Sequence, residues 1–120
     1  MAKILIVDDA SLIRNIAKKA VLEAGHEVVL ANDGKEGFEA VLKGGIDFVF
    51  SDINMPIMTG MEMIAKIRQE DKYRYLPIVM LTTENKSELQ KQAQGMGVKA
   101  WLVKPFNKDK FLLVLNKLLG

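Results

Sequence analysis

The sequence has 120 residues, 49% of them hydrophobic and 27% charged, with 17 Lys and Arg against 15 Asp and Glu for a net charge of +2. This length predicts a single domain spanning residues 1–120, and the even charge balance argues against a nucleic-acid-binding protein. The absence of cysteine excludes disulfides, thiolate catalysis and cysteine-ligated zinc, and the single histidine excludes multi-histidine metal sites.

The N-terminal segment predicts a buried strand and not a leader sequence. Its apolar run, Ile4–Val7, is far too short for a signal peptide or a membrane span, so we expect a cytoplasmic protein without membrane contact. A continuous run of β-branched residues and leucine is typical of a strand that is buried on both faces. Two acids, Asp8 and Asp9, end this strand.

A helix, a second strand and a second helix follow. Apolar residues recur at helical spacing within Ser11–Ala24, and Gly25 closes this helix. Val28–Ala31 form the next strand. The turn Asn32–Gly34 is suited to capping a second helix, which runs to about Lys43.

The rest of the chain repeats this alternation three times. The third strand ends just before Asp52, and a Met-Pro loop separates it from the next helix. The predicted strands of this part are 47–51, 78–82 and 101–103, and the predicted helices are 61–68, 86–96 and a last helix, capped by Asn107, that runs to 119. Successive β-α units with fully apolar strands indicate a parallel sheet covered by helices on both faces.

The predicted fold is therefore an α/β, flavodoxin-like (βα)5 sandwich of three layers, with parallel strands in the order 2-1-3-4-5. In this order the first and third strands are neighbours at the point where the order reverses, which is where such sheets place their ligands. Asp8, Asp9 and Asp52 should converge there, although they are far apart in the sequence.

Each acid also has an ordinary explanation. Asp52 can cap the turn that follows it, and Asp8 and Asp9 can be two solvated carboxylates. If the three converge, the repulsion between two charges ~4 Å apart at an effective dielectric constant of ~20 is about 4 kcal/mol. Either one acid is then protonated or a divalent cation binds, and oxygen ligands without His or Cys favour Mg²⁺.

Two further polar residues at strand ends favour the cation. Thr82 ends the fourth strand and Lys104 follows the fifth, so one edge of the sheet carries acids, a hydroxyl and an ammonium group. A metal site beside a lysine and a hydroxyl donor suits phosphoryl transfer, whose catalysis is mostly positioning and charge neutralisation. With no cysteine and no evident Ser-His pair, the nucleophile must be a carboxylate.

Four segments, ILIVDDA, FSDINMPIMTG, IVMLTTE and LVKPF, resemble in order and spacing the receiver domain of two-component response regulators, and most closely its stand-alone chemotaxis type. The resemblance covers essentially the whole chain. It implies that Asp52 is the phosphoacceptor. It also implies that Asp52, Asp9 and the backbone carbonyl of Asn54 bind Mg²⁺ directly, and that Asp8 acts through water.

The same resemblance assigns roles to the residues around the phosphoryl group. Lys104 would pair with a phosphoryl oxygen, and its bond to Pro105 would be cis. Thr82 would donate a hydrogen bond to the phosphoryl group and draw the strand-four loop inward. Asn54 and Glu84 would set the lifetime of the acyl phosphate, and this polar pair predicts rapid hydrolysis.

The predicted output lies on helix four, strand five and helix five. Trp101 occupies the position of the family's readout aromatic, usually Tyr or Phe, and the alternative is a plain core residue. Leu113 points away from the core stripe of the last helix, which suggests an apolar docking face; the alternative is a surface leucine without a role.

The resemblance also implies partners. A histidine kinase would donate the phosphoryl group, and a downstream protein, in chemotaxis the flagellar motor switch, would read the result. We expect a monomer, with pairing through the last helix as the alternative, and no enzyme activity beyond self-catalysed phosphorylation and dephosphorylation.

Other functions remain compatible with parts of this pattern. The first alternative is a single-domain phosphorelay intermediate. An aspartate-nucleophile, Mg²⁺-dependent phosphatase of the haloacid dehalogenase type uses the same residue types, but it expects the nucleophile on the first strand. A flavin-binding module or a phosphorylation-independent adaptor would share the fold.

Overall fold

The computed structural model describes residues 1–83 and 87–119. The strands are β1 (Lys3–Val7), β2 (Glu27–Ala31), β3 (Phe48–Asp52), β4 (Ile78–Thr82) and β5 (Ala100–Val103). The helices are α1 (Ser11–Glu23), α2 (Gly34–Leu42), α3 (Gly60–Gln69), α4 (Ser87–Gly95) and α5 (Lys108–Leu119), with a short 3-10 helix at Asp71–Tyr73. The strands form one parallel sheet in the order β2-β1-β3-β4-β5, which confirms the predicted fold.

Strand residues alternate between two cores, one on each face of the sheet. β3 lies in the middle of the sheet, and every residue of β3 and β4 is buried. One core packs α1 and α5 against the sheet around Phe50, whose ring centroid lies 5.0 Å from that of Phe48 and 4.3 Å from that of Phe111. The other core includes Met63 and Ile64 of α3. Because all five strands are parallel, the polar residues at their carboxyl ends lie at the same edge of the sheet.

Side-chain caps fix the starts of three helices. Asp33 Oδ1 accepts a backbone N–H from the first turn of α2 at 2.8 Å, and Asn107 Oδ1 accepts one from α5 at 2.8 Å, as the sequence predicts for both turns. At α3, Thr59 and Glu62 form a reciprocal capping box. This helix therefore begins at Gly60 and not at 61.

Four strands differ by one residue from their predicted ends. β1 and β2 begin one residue earlier than predicted, at Lys3 and Glu27. β3 covers Phe48–Asp52 and not 47–51, because Asp52 still pairs with β4. β5 begins at Ala100, which also pairs with β4. The structure describes α4 from Ser87, and its predicted start at Lys86 lies outside the described residues.

Candidate functional site

Three carboxylates meet at the carboxyl edge of the sheet, as the strand order predicts. Asp8 follows β1, Asp9 comes next, and Asp52 is the last residue of β3. One carboxylate oxygen of each lies within 4.8 Å of the other two. Asp8 is fully buried and Asp52 is 9% exposed, whereas Asp9 is open to solvent. The three acids thus form a pocket that solvent reaches from the side of Asp9.

Two backbone hydrogen bonds and one ion pair hold Asp8 in place. Its own N–H donates to the Ala31 carbonyl at 3.1 Å, and its Oδ1 accepts the Ala10 N–H at 2.9 Å. Its Oδ2 lies 2.6 Å from the Lys104 ammonium. Burying a carboxyl group is costly unless it is paired, so these contacts offset the cost of burying the Asp8 side chain.

Lys104 brings its ammonium group between two of the acids. Its Nζ lies 2.6 Å from Asp8 Oδ2 and 3.3 Å from Asp52 Oδ2, with only 12% of the side chain exposed. Its backbone N–H donates to the carbonyl of Thr82 at 2.7 Å, and its peptide bond to Pro105 is cis, as the resemblance implies. The position of Lys104 is therefore fixed by this one backbone hydrogen bond as well as by charge.

The surroundings of Asp52 disfavour the negatively charged form of its carboxyl group. Burial raises its pKa from the ordinary value, and the neighbouring charge of Asp8 raises the pKa further. The Lys104 ammonium and the Ile53 N–H, which donates to Asp52 Oδ1 at 2.8 Å, lower the pKa without cancelling this effect. Charge neutralisation at Asp52, by a cation or by a covalent group, is therefore favoured by its surroundings.

Two glycines fix the loop that follows Asp52. The Gly60 N–H donates to the Ile53 carbonyl at 2.7 Å, and a Cβ at Gly60 would overlap the Asp52 carbonyl oxygen. The Gly34 N–H donates to the Met58 carbonyl at 3.1 Å, where a Cβ would overlap the same carbonyl oxygen. Backbone packs directly on backbone at both places, so only glycine fits. Neither contact could be predicted from the sequence, since both depend on how the loop folds back.

The donor set of the pocket suits Mg²⁺. Its ligand atoms are carboxylate oxygens, and hard cations with few protein ligands prefer such atoms. The buried Asp8 Oδ2 is paired with the Lys104 charge but accepts no hydrogen bond of good geometry from the described residues. An electron-rich buried oxygen of this kind is a fitting ligand for a cation or for its bound water.

The other predicted site residues take up different positions. Thr82 ends β4 and is buried, next to the backbone contact with Lys104. Asn54 is exposed two positions after Asp52. Trp101 is half-buried on β5, opposite Met80 in β4, and packs against the core on the α3 side of the sheet. Glu84 lies outside the described residues.

Arg14 belongs to the site although the sequence did not predict this position for it. It lies on α1, and its Nη1 donates to the backbone carbonyl of Asp8 at 2.7 Å. The only signal in the sequence is that Arg14 stands within the first turns of the helix that follows the two acids, which is too general to predict this contact.

One residue of the predicted output face, Leu113, is exposed on α5. On α5, Phe111 and Leu115 are fully buried, whereas Leu113 is 70% exposed, as its helical position predicts. None of the helices in residues 1–83 and 87–119 has the length and hydropathy of a membrane-spanning segment.

Known proteins resemble this chain over nearly its whole length. Residues 4–116 match the family model of the response regulator receiver domain. Chemotaxis protein CheY-3 of Vibrio cholerae is 38% identical over 117 residues, which cover 97% of this chain and 90% of that protein. A chemotaxis protein CheY homolog of Campylobacter jejuni is 38% identical over 120 residues, covering 98% and 92%. The solved structure of the chemotaxis response regulator CheY4 of Vibrio cholerae has a TM-score of 0.92 and 41% identity, with 98% of each chain covered.

Proposed function

This chain belongs to the response regulator receiver domain family and is of the CheY type, and from that premise we propose that it is a phosphorylation-activated signalling switch of a two-component system. In this proposal a histidine kinase supplies the phosphoryl group and Asp52 accepts it. The observation that supports this most directly is the position of the Asp52 carboxylate, 3.3 Å from the Lys104 ammonium and in one cluster with Asp8 and Asp9.

The proposed transfer needs a nucleophile and charge neutralisation. A carboxylate oxygen of Asp52 attacks the phosphorus of a phosphohistidine, the phosphorus–nitrogen bond breaks, and the electron pair leaves with the imidazole nitrogen. Asp8, Asp9 and Asp52, with the Asn54 backbone carbonyl, would hold Mg²⁺, which when bound neutralises phosphoryl oxygens. Lys104 is placed to pair with a further oxygen, because its Nζ already faces Asp52.

The same residues suit the return reaction. Water attacks the phosphorus of the acyl phosphate, the phosphorus–oxygen bond to Asp52 breaks, and inorganic phosphate leaves while the carboxylate is restored. Asn54 is exposed beside the acceptor, and Glu84 completes the predicted polar pair that favours rapid loss. We propose no catalytic turnover of an outside substrate, only self-catalysed gain and loss of one phosphoryl group.

The proposed output depends on new charge beside β4. A phosphoryl group brings about −1.5 to −2 of charge and three acceptor oxygens. Thr82 would donate a hydrogen bond to one of these oxygens and draw the segment that follows β4 inward. This movement would change the face formed by α4, β5 and α5. Because the relatives above are chemotaxis proteins, the flagellar motor switch is the proposed target, and a phosphorelay role is the alternative.

Intact-mass measurement after incubation with acetyl phosphate and Mg²⁺ tests this proposal. We expect the wild type to gain the mass of one phosphoryl group, Asp52→Asn to gain none, and Asp71→Asn, which removes an acid that is 90% exposed, to behave as the wild type. An unmodified wild type, or equal modification of Asp52→Asn, would contradict the proposal. Repeated turnover of an aryl phosphate without an adduct would support the phosphatase alternative instead.

A further inference from the structure

Arg14 ties α1 to the backbone that carries the first two acids. Its Nη1 donates to the Asp8 carbonyl at 2.7 Å, and the side chain is half-buried. A charged donor at this distance makes one of the stronger hydrogen bonds in a protein. The Asp8 carbonyl belongs to the peptide group that links Asp8 to Asp9. Arg14 therefore restrains the orientation of the peptide plane that directly precedes the Asp9 side chain.

Asp9 depends on this restraint more than the other two acids do. The carboxylates of Asp8 and Asp52 each accept a backbone N–H and each face the Lys104 ammonium. Within residues 1–83 and 87–119, no hydrogen bond or ion pair holds the exposed carboxylate of Asp9. The point and direction from which this side chain leaves the chain are therefore set by the backbone before it, which Arg14 holds.

We propose that Arg14 is a positioning residue for the cation site: by holding the Asp8–Asp9 peptide, it aims the Asp9 carboxylate at the pocket. This inference rests on the proposed function only in taking the bound cation to be Mg²⁺. Arg14 acts through Asp9 and does not itself bind the cation.

If Arg14 positions Asp9, its loss should change the Mg²⁺ affinity in one direction. If only its charge matters, its loss should change the affinity in the opposite direction. A guanidinium group close to the pocket repels a cation, so removing its charge alone would tighten Mg²⁺ binding. Loss of the restraint on Asp9 would weaken Mg²⁺ binding, since partners that orient metal ligands contribute about 10- to 100-fold in affinity. The sign of the change therefore distinguishes the two roles.

Calorimetric titration of Mg²⁺ into the protein, without any phosphodonor, measures this sign. We expect Arg14→Met, which keeps the apolar stem and removes the donor, to weaken Mg²⁺ binding about tenfold. Arg14→Lys keeps both a donor and a charge, and we expect its affinity to stay close to that of the wild type. The control is Lys18→Met on the exposed side of α1, which removes one positive charge and should not weaken binding.

Phosphorylation kinetics provide a second measurement. The Mg²⁺ concentration that gives the half-maximal rate would not change if Arg14 had only a structural role. With acetyl phosphate as donor, Arg14→Met should need about ten times more Mg²⁺ for half-maximal rate and reach the wild-type rate at saturating Mg²⁺. A lower rate at saturation with unchanged half-saturation would overturn the proposal. Should Arg14→Met not fold, Arg14→Gln, which removes the charge and shortens the arm, is expected to weaken Mg²⁺ binding as well.

The outcomes separate this inference from the proposed function. If the wild type binds Mg²⁺ and becomes phosphorylated while Arg14→Met binds Mg²⁺ as tightly or more tightly, the positioning role is wrong and the proposed function stands. If the wild type binds no Mg²⁺ and gains no phosphoryl group, both proposals fail.

Discussion

Ile57 lies in the loop after Asp52 in a backbone conformation that β-branched residues rarely adopt. Its φ is +69°, in the left-handed region, and the Met58 N–H donates to the Pro56 carbonyl across it at 2.7 Å, which makes a tight γ-turn. The side chain is 77% exposed, so burial does not offset the strain. The turn persists because the Gly34 N–H holds the Met58 carbonyl from the α2 side.

Replacement of Ile57 by a residue that tolerates this conformation should stabilise the protein. A strained backbone conformation of this kind costs roughly 1–3 kcal/mol, and Asn is found at positive φ several-fold more often than most other L-residues. We expect Ile57→Asn to raise the free energy of unfolding by about 1 kcal/mol in a urea titration. Ile57→Val keeps the β-branch and should leave stability nearly unchanged. A loss of stability in Ile57→Asn would show that the exposed side chain has a packing role.

The acids and Lys104 could be predicted from the sequence, whereas Ile57 and Arg14 could not. The acids and Lys104 stand at strand ends, and strand order alone brings strand ends together. The conformation of Ile57 and the hydrogen bond of Arg14 depend on loop contacts between distant backbone groups, which no local pattern encodes. The roles proposed for Thr82 and Trp101 need the phosphorylated state and stay predictions.

At the scale of elements, one side chain joins the ends of α3 and α4. The Arg68 guanidinium donates to the Met96 carbonyl at 2.8 Å, to the Tyr73 carbonyl at 3.0 Å and to the Gly97 carbonyl at 3.3 Å. Burial lowers the pKa of Arg68 from its ordinary value, yet three carbonyl acceptors favour the charged form. Arg68 therefore holds the C-terminal end of α4 in place, where unsatisfied carbonyl groups and a cation attract each other.

Loss of Arg68 should cost more stability than loss of a surface arginine. Arg68→Met keeps the stem but removes three charge-assisted hydrogen bonds, and we expect a loss of roughly 2–3 kcal/mol in the free energy of unfolding. Arg74→Met removes an exposed pair with Asp71, whose atoms lie 2.7 Å apart, and should cost at most about 0.5 kcal/mol. Chemical denaturation of both variants measures the difference, and equal losses would refute the role assigned to Arg68.

The order and type of the elements followed from the sequence because each strand is a continuous apolar run between polar ends. Their exact ends did not, because pairing with a neighbour extends β3 to Asp52 and β5 to Ala100. The start of α3 is a different case. Thr59 and Glu62 have the spacing of a capping box, so the sequence contains a signal for this boundary that the spacing of apolar residues does not carry.

At the scale of the whole molecule, the acid pocket acts against the stability of the fold. Both faces of the sheet are covered by apolar side chains, whereas its carboxyl edge brings together three acids and the ammonium group of Lys104. Sites that need a strained or charged arrangement commonly reduce stability. The protein should therefore become more stable when this charge is removed or neutralised.

The pH dependence of unfolding tests whether the negative charge of Asp52 destabilises the folded protein. Because its pKa is raised in the folded state above the ordinary value of 3.8, the folded chain binds this proton more tightly than the unfolded chain does. The stability that protonation of Asp52 contributes is complete at a pH below the pKa of the unfolded chain. It is lost as the pH rises through the higher pKa of the folded chain. Without Mg²⁺, Asp52→Asn should therefore be more stable than the wild type at pH 7, by about 1 kcal/mol.

This difference should narrow as pH falls through the raised pKa of Asp52, because the wild type then carries a neutral acid at the same position. Added Mg²⁺ should raise the melting temperature of the wild type more than that of Asp52→Asn, since a ligand that binds the folded state more tightly stabilises it more at the same concentration. Thermal melts of both proteins between pH 4 and pH 8, with and without Mg²⁺, measure both effects, with about 4 °C expected per kcal/mol for a chain of this size. A wild type more stable than Asp52→Asn at pH 7 without Mg²⁺ would mean that Lys104 outweighs burial and Asp8, and that the pocket is stable as an ion-paired cluster without any cation.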